Sequence, residues 1–154
     1  TRTEFYSNAA MQWGTDTEPQ ARAAYEFITN NSVVEEGFIP HPTIEMSGAS
    51  PDGMVNDDGM LEIKCPNTAT HVQTLLDEKI PKKYVDQMQW QMACAEREWC
   101  DFVSFDPRLP DGNDFFCTRL KRDDKRIADL ESEVTDFLDE LSTQIVKLKE
   151  RLNK

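Results

Sequence analysis

The 154-residue chain has no run of about eighteen consecutive apolar residues, and no basic segment leading into an apolar stretch near Thr1. The sequence therefore predicts neither a membrane-spanning helix nor export. Its four cysteines, Cys65, Cys94, Cys100 and Cys117, form no CxxC pair and no dense framework. They read as reduced thiols of a cytosolic protein rather than as zinc ligands or disulfides. Histidine is scarce too. His41 and His71 are the whole complement, neither has a partner at metal-ligand spacing, and both are expected at the surface. Positive charge is in deficit, with 17 Lys and Arg against 29 Asp and Glu for a net charge of −12. That balance speaks against tight, sequence-independent binding of nucleic acid by the bare chain.

What is present is one domain's worth of alternating elements. The stretch from Asp16 to Asn30 predicts a helix, with Asp16 or Thr17 as its cap, Glu18 at its mouth and Ala24, Phe27 and Ile28 at helical spacing. Residues 33–39 and 43–47 predict short strands around Pro40 and Pro42. The turns Ser50-Pro51-Asp52-Gly53 and Asn56-Asp57-Asp58-Gly59 bracket a hairpin whose second strand, residues 59–65, alternates in polarity. Pro81 opens a helix running to about Glu96. Residues 99–105 and 114–120 predict two further strands, and Asp123 or Asp124 caps a last helix. In that helix Leu130, Val134, Leu138, Leu141, Ile145, Leu148 and Leu152 form a stripe that fits core packing or a second subunit. The plan is α/β (α+β), with a central mixed sheet flanked by helices.

The chemistry concentrates on Asp52 and the triplet Glu62-Ile63-Lys64. Residues two apart on a strand share a face, so Glu62 and Lys64 point together while Ile63 points into the core. Two carboxylates and a free backbone carbonyl suit a hard divalent cation. A neighbouring lysine can orient or deprotonate an attacking water. Metal-assisted cleavage of a phosphodiester follows from that set, although a strand Glu and Lys also form ordinary solvated cross-strand faces. Trp13, Trp90 and Trp99 read as packing residues. Lys79, Lys82 and Lys83 form one basic cluster, and Arg119, Lys121, Arg122, Lys125 and Arg126 a second; either is a solvated face or a track for the phosphate backbone.

From about Met11 to the last helix the chain resembles the lambda-type phage exonucleases of the viral recombinase group, within the PD-(D/E)xK nuclease superfamily. The likeness rests on Trp13-Gly14, Glu18, Ala21-Arg22, Ser50-Pro51-Asp52-Gly53, Leu61-Glu62-Ile63-Lys64-Cys65-Pro66, Tyr84, Gln87-Met88-Gln89 and Asp106-Pro107-Arg108. The resemblance implies a restriction-endonuclease-like core and a Mg²⁺-dependent exonuclease that degrades one strand of linear double-stranded DNA from its 5′ end. It also implies a homotrimeric ring, a phage single-strand annealing protein as partner, homologous recombination as the setting and the host bacterial cytoplasm as the location. By the same resemblance Asp52 bridges two Mg²⁺ ions, for which Mn²⁺ substitutes, and Glu62 and the Ile63 carbonyl complete the first site. Glu18 holds metal-bound water, Lys64 contacts the nucleophilic water or the phosphate, and Gln87 hydrogen-bonds within the site. Ser50, Thr70 and Tyr84 fall to DNA or its 5′ phosphate, with Thr70 standing where the family has an arginine. Residues 1–154 are then a single nuclease domain that lacks an N-terminal segment of the family. Two other readings stand beside this one: an endonuclease or resolvase of the same fold, which would cut closed circles, and an acidic non-enzymatic DNA mimic or interaction module.

Overall fold

The computed structural model describes the backbone of residues 2–154 and the side chains from Ala9 onward. The chain runs α1 (Arg2–Thr29), β1 (Val33–Val34), β2 (Ile39–Pro40), β3 (Gly48–Ala49), β4 (Gly53–Val55), β5 (Gly59–Lys64), α2 (Thr68–Asp77), α3 (Lys82–Ala95), β6 (Trp99–Phe105), β7 (Phe115–Lys121) and α4 (Asp124–Leu152). Five strands form one sheet in the order β1-β4-β5-β6-β7, and β2 and β3 pair as a separate ribbon. Only β5 and β6 are parallel, and α2 and α3 lie in the crossover between them. The sheet is thus mixed, as the sequence predicts, and its central strands are buried on both faces.

Alternation along β5 and β6 divides the core in two. Leu61, Ile63, Trp99, Val103 and Phe105 join Ala21 and Tyr25 of α1 on one side. Met60, Cys100 and Phe102 join Met88 and Met92 of α3 on the other. Tyr25 also carries a polar anchor through the first layer: its hydroxyl donates to Asp101 Oδ2 at 2.7 Å, and Asp101 is gripped by Arg119 at 2.8 Å. Arg119 in turn lies 3.5 Å over the Trp99 ring.

Several local expectations give way. The strand expected over residues 33–39 is reduced to Val33–Val34, with Ile39 pairing instead in the separate ribbon. The first helix extends back to Arg2 and runs through Pro19, so Glu18 lies within it and not at its mouth. Its buried face is Thr17, Ala21 and Tyr25, spaced four apart, whereas Phe27 and Ile28 are exposed. Residues 43–47 form a turn and not a strand, because the His41 ring Nδ1 accepts from the N–H groups of Thr43 and Ile44 at 3.1 and 3.0 Å. A side chain that binds local backbone in this way competes with a strand ladder. Finally, α2 was not predicted at all. Asn67 caps it, accepting from the Thr70 N–H at 2.8 Å, and His71 on its inner face is buried between Ser104 and the Asn113 carbonyl. His41 is likewise buried, stacked on Trp90 and 2.9 Å from Glu131. Both histidines are therefore internal structural contacts and not surface residues.

Gly59 faces Trp99 directly in the β5–β6 register, and a Cβ there would enter the indole ring. Trp99 cannot yield, because Arg119 covers it. Gly59→Ala is expected to cost about 1–3 kcal/mol by overpacking, while Gly37→Ala, with open space around it, stays within about 0.5 kcal/mol. Urea denaturation of the two variants reads the difference, and equal midpoints would refute this packing.

Candidate active site

Glu62-Ile63-Lys64 are the last three residues of β5, at the carboxyl end of a parallel strand, where open α/β sheets place their ligands. The hairpin brings Asp52 to the same point. Gly53 pairs with Leu61, and one step further the Asp52 carboxylate accepts from the Ile63 N–H at 2.7 Å. Pro51 before it is buried, which fixes where the turn starts. Glu62 is 2 % exposed and its Oε1 lies 3.1 Å from Lys64 Nζ. From α1, Glu18 stands next to Asp52 and pairs with Arg22 at 3.5 Å. Arg22 also reaches the Asp52 carbonyl at 3.4 Å and Glu35 at 3.0 Å.

This is a concentration of acid in a poorly hydrated place, and the protonation equilibria respond. Burial pushes Glu18 up to about 7, reinforced by its contact with Asp52. Asp52 is also raised, by burial first and then by the charge of Glu62, against the opposing pull of the Ile63 N–H. The Cys65 thiol beside them is pushed up to about 12 by burial and the nearby carboxylates, so it is no nucleophile. A cleft of about 440 Å³ lined by Ala10, Met11, Gly14, Thr15, Glu18, Ile63, Lys64 and Cys65 opens onto the group.

The donor set fits a hard cation: carboxylates that repel one another, with one lysine and one arginine for compensation. It is not a closed cage. Among the described residues no three His, Cys, Asp or Glu side chains converge as ready-made ligands. Mg²⁺ asks for less, one or two carboxylates with waters completing the octahedron.

Of the other predicted residues, Tyr84 is at the site, its ring 4.6 Å from Lys64 Nζ. Gln87, one helical turn further along α3, is exposed and makes no side-chain hydrogen bond among the described residues. Ser50 is exposed just before the hairpin turn, and Thr70 is half-buried in the first turn of α2. The second basic cluster is largely spent on structure: Arg119 holds Asp101, Arg122 binds Asp124 and the Met92 and Arg97 carbonyls, and Arg126 pairs with Asp86. Sequence reasoning missed Phe102, which stacks on Tyr84 with ring centroids 5.8 Å apart. Its signal was its alignment in the neighbouring strand opposite Glu62. Trp13, at the rim, stacks under Arg108 at 4.3 Å.

A mixed sheet with the Pro-Asp turn and the Glu-Ile-Lys strand end at its centre defines a nuclease of the PD-(D/E)xK type. The model of the YqaJ-like viral recombinase domain matches residues 1–98, and the chain belongs to that family. The fold superposes on the crystal structure of an alkaline exonuclease (LHK-Exo) from Laribacter hongkongensis with a TM-score of 0.93 and 55 % identity, covering 95 % of this chain and 75 % of that one. The complex of LHK-Exo with dAMP matches equally. A phage-related exonuclease from Haemophilus somnus 129PT shares the fold at 16 % identity, with a TM-score of 0.68 over 88 % of this chain and 73 % of that one. No curated protein matches. With a homologue this close over 95 % of the chain, the chain is an exonuclease of its family, which sets aside the non-enzymatic reading. No helix among the described residues is long and apolar enough to cross a membrane.

Because Glu18 is raised from 4.5 to about 7, the folded protein holds a proton that the unfolded chain releases. The resulting stability is complete below pH 4.5 and lost as pH rises through 7. In chelator, the melting temperature of the wild type is expected to fall across that window more steeply than that of Glu18→Gln. Millimolar Mg²⁺ at pH 8 should recover the loss only in the wild type. Parallel melting curves for the two proteins would refute the raised Glu18 carboxyl.

Proposed function

We propose that the protein degrades one strand of linear double-stranded DNA from its 5′ end with Mg²⁺, in phage homologous recombination by single-strand annealing. It would act as a homotrimeric ring alongside a phage annealing protein. The observation that carries the hydrolytic part is the meeting of Asp52, Glu62 and the Ile63 backbone with Lys64 at one strand end. Asp52, Glu62 and the Ile63 carbonyl would hold the metal, with Glu18 reaching it through water. The chemistry supplied there is Lewis-acid polarisation of the phosphodiester and a more acidic attacking water.

The side chains do the rest. Lys64 offers ammonium N–H groups to the attacking water and to a non-bridging phosphate oxygen, and Glu62 fixes it from behind. Asp52 spends one oxygen on the Ile63 N–H, which would leave the other for the metal. Lys82 and Lys83 open α3 next to Tyr84 and are exposed, a position suited to the approaching phosphate backbone. Ser50 and Thr70 would meet the terminal phosphate. A neutral Thr70 gives a weaker contact than an arginine, so dependence on the 5′ phosphate should be slight.

Digestion of linear duplex labelled at either 5′ or 3′ end, with and without 5′ phosphate, tests the reading. Release of the 5′ label first, intact closed circles and no turnover in chelator are expected. The phosphate effect should be under about tenfold. Lys64→Ala and Asp52→Ala should each lower the rate by about 10²-fold or more. Loss of the 3′ label first would overturn the polarity, nicking of closed circles would favour the endonuclease reading, and full activity of Lys64→Ala would overturn the mechanism.

A further inference from the structure

We propose that Tyr84 is the positioning residue for Lys64, holding its ammonium by the face of the ring and not touching DNA through its hydroxyl; this rests on the role given to Lys64 above. Lys64 ends β5, and its side chain is 27 % exposed at the cleft. A lysine has four rotatable bonds, and the one ion pair it makes among the described residues, with Glu62 at 3.1 Å, lets Nζ swing around the carboxylate. The Tyr84 ring, 4.6 Å from Nζ, supplies a second constraint. At that distance the quadrupole of the ring attracts the cation.

The ring is itself fixed. It stacks on Phe102 at 5.8 Å with 24° between planes, and Phe102 is 1 % exposed in the centre of the sheet. Phe102 pairs directly with Glu62 across β5 and β6. One strand pair thus sets both walls that confine the ammonium, the carboxylate of Glu62 and the ring leaning on Phe102. Lys83 Nζ lies 5.0 Å from the same ring, so two like charges gather around one aromatic side chain. The ring is the part of Tyr84 that meets both neighbours, Lys64 on the one hand and Phe102 on the other. A ring face holds a charge without the strong directional bond a second carboxylate would form, and this keeps ammonium N–H groups available to substrate.

The test replaces Tyr84 by Leu, by Phe, and by Phe carrying one, two and three ring fluorines, which drain the quadrupole at nearly constant shape. Steady-state digestion of linear duplex in Mg²⁺ gives kcat and KM. Tyr84→Phe should keep kcat to within about twofold, Tyr84→Leu should lower it about tenfold, and the fluorinated series should fall stepwise between them with KM unchanged. The fluorinated variants carry the test even where Tyr84→Leu fails to fold. A flat series, a loss in Tyr84→Phe equal to that in Tyr84→Leu, or a change confined to KM would overturn the proposal. So would disappearance of the fluorine gradient in a Lys83→Gln background, which would assign the cation to Lys83. An inactive wild type would instead overturn the nuclease reading, and this inference with it.

Discussion

The Ile63 N–H donates to the Asp52 carboxylate at 2.7 Å. That one bond ties the Ser-Pro-Asp-Gly turn to the end of β5 and sets a carboxylate beside Glu62. Hydrogen bonds to charged groups contribute about 1.5–3 kcal/mol. This one works against the burial and the Glu62 charge that raise Asp52. The rest of the sheet keeps the arrangement from relaxing. Because β5 is buried on both faces between β4 and β6, Glu62 cannot turn to water without breaking the ladder. An acid held in place by main-chain hydrogen bonds is a ligand that needs little reorganisation to bind a cation.

The two core layers have separate duties. The α1 side carries Glu18 and Arg22 to the site, and its register is locked by Tyr25 on Asp101 and Arg119. The α3 side carries Tyr84, and its register is locked by Gln89, which donates to the Lys121 carbonyl at 3.0 Å and accepts from the Asp123 N–H at 3.0 Å. Both locks end on β6, β7 or the residues just beyond. The antiparallel pair that holds no predicted catalytic group therefore sets the spacing between the two helices that do.

Much of this could be read from sequence where the signal is local. The hairpin, α3, β6 and α4 follow from alternation, Pro81 and the Asp123 cap, and Asp52, Glu62 and Lys64 meet because hairpin register is set by its turn. What could not be read depends on partners far along the chain. The buried side of α1 is chosen by Asp101, 76 residues beyond Tyr25, so the more apolar Phe27 and Ile28 are left outside. His71 is internal because Ser104 and Asn113 meet it from beyond the crossover. The cationic residues of β7 and just beyond it read in sequence as a solvated face or a phosphate track, and only the pairing of Arg119, Arg122 and Arg126 with Asp101, Asp124 and Asp86 reveals that these three are structural.

Charge then takes on a sharper meaning than its total. Six acids and no base fall between residues 129 and 140 of α4. Of these, Glu131 turns inward to His41, and the others face solvent. With Arg119, Arg122 and Arg126 committed to carboxylates, the free lysines nearest the site are Lys64 and those at the start of α3, while the chain as a whole stays acidic. Such a surface draws phosphate weakly. Glu18, Asp52, Glu62 and Lys64 carry a formal charge of −2, which a pair of divalent ions would reverse. The acidity of the chain is thus compatible with acting on a polyanion. On the proposed reading, productive approach would depend on the metal and centre on the end of β5, where Asp52, Glu62 and Lys64 meet.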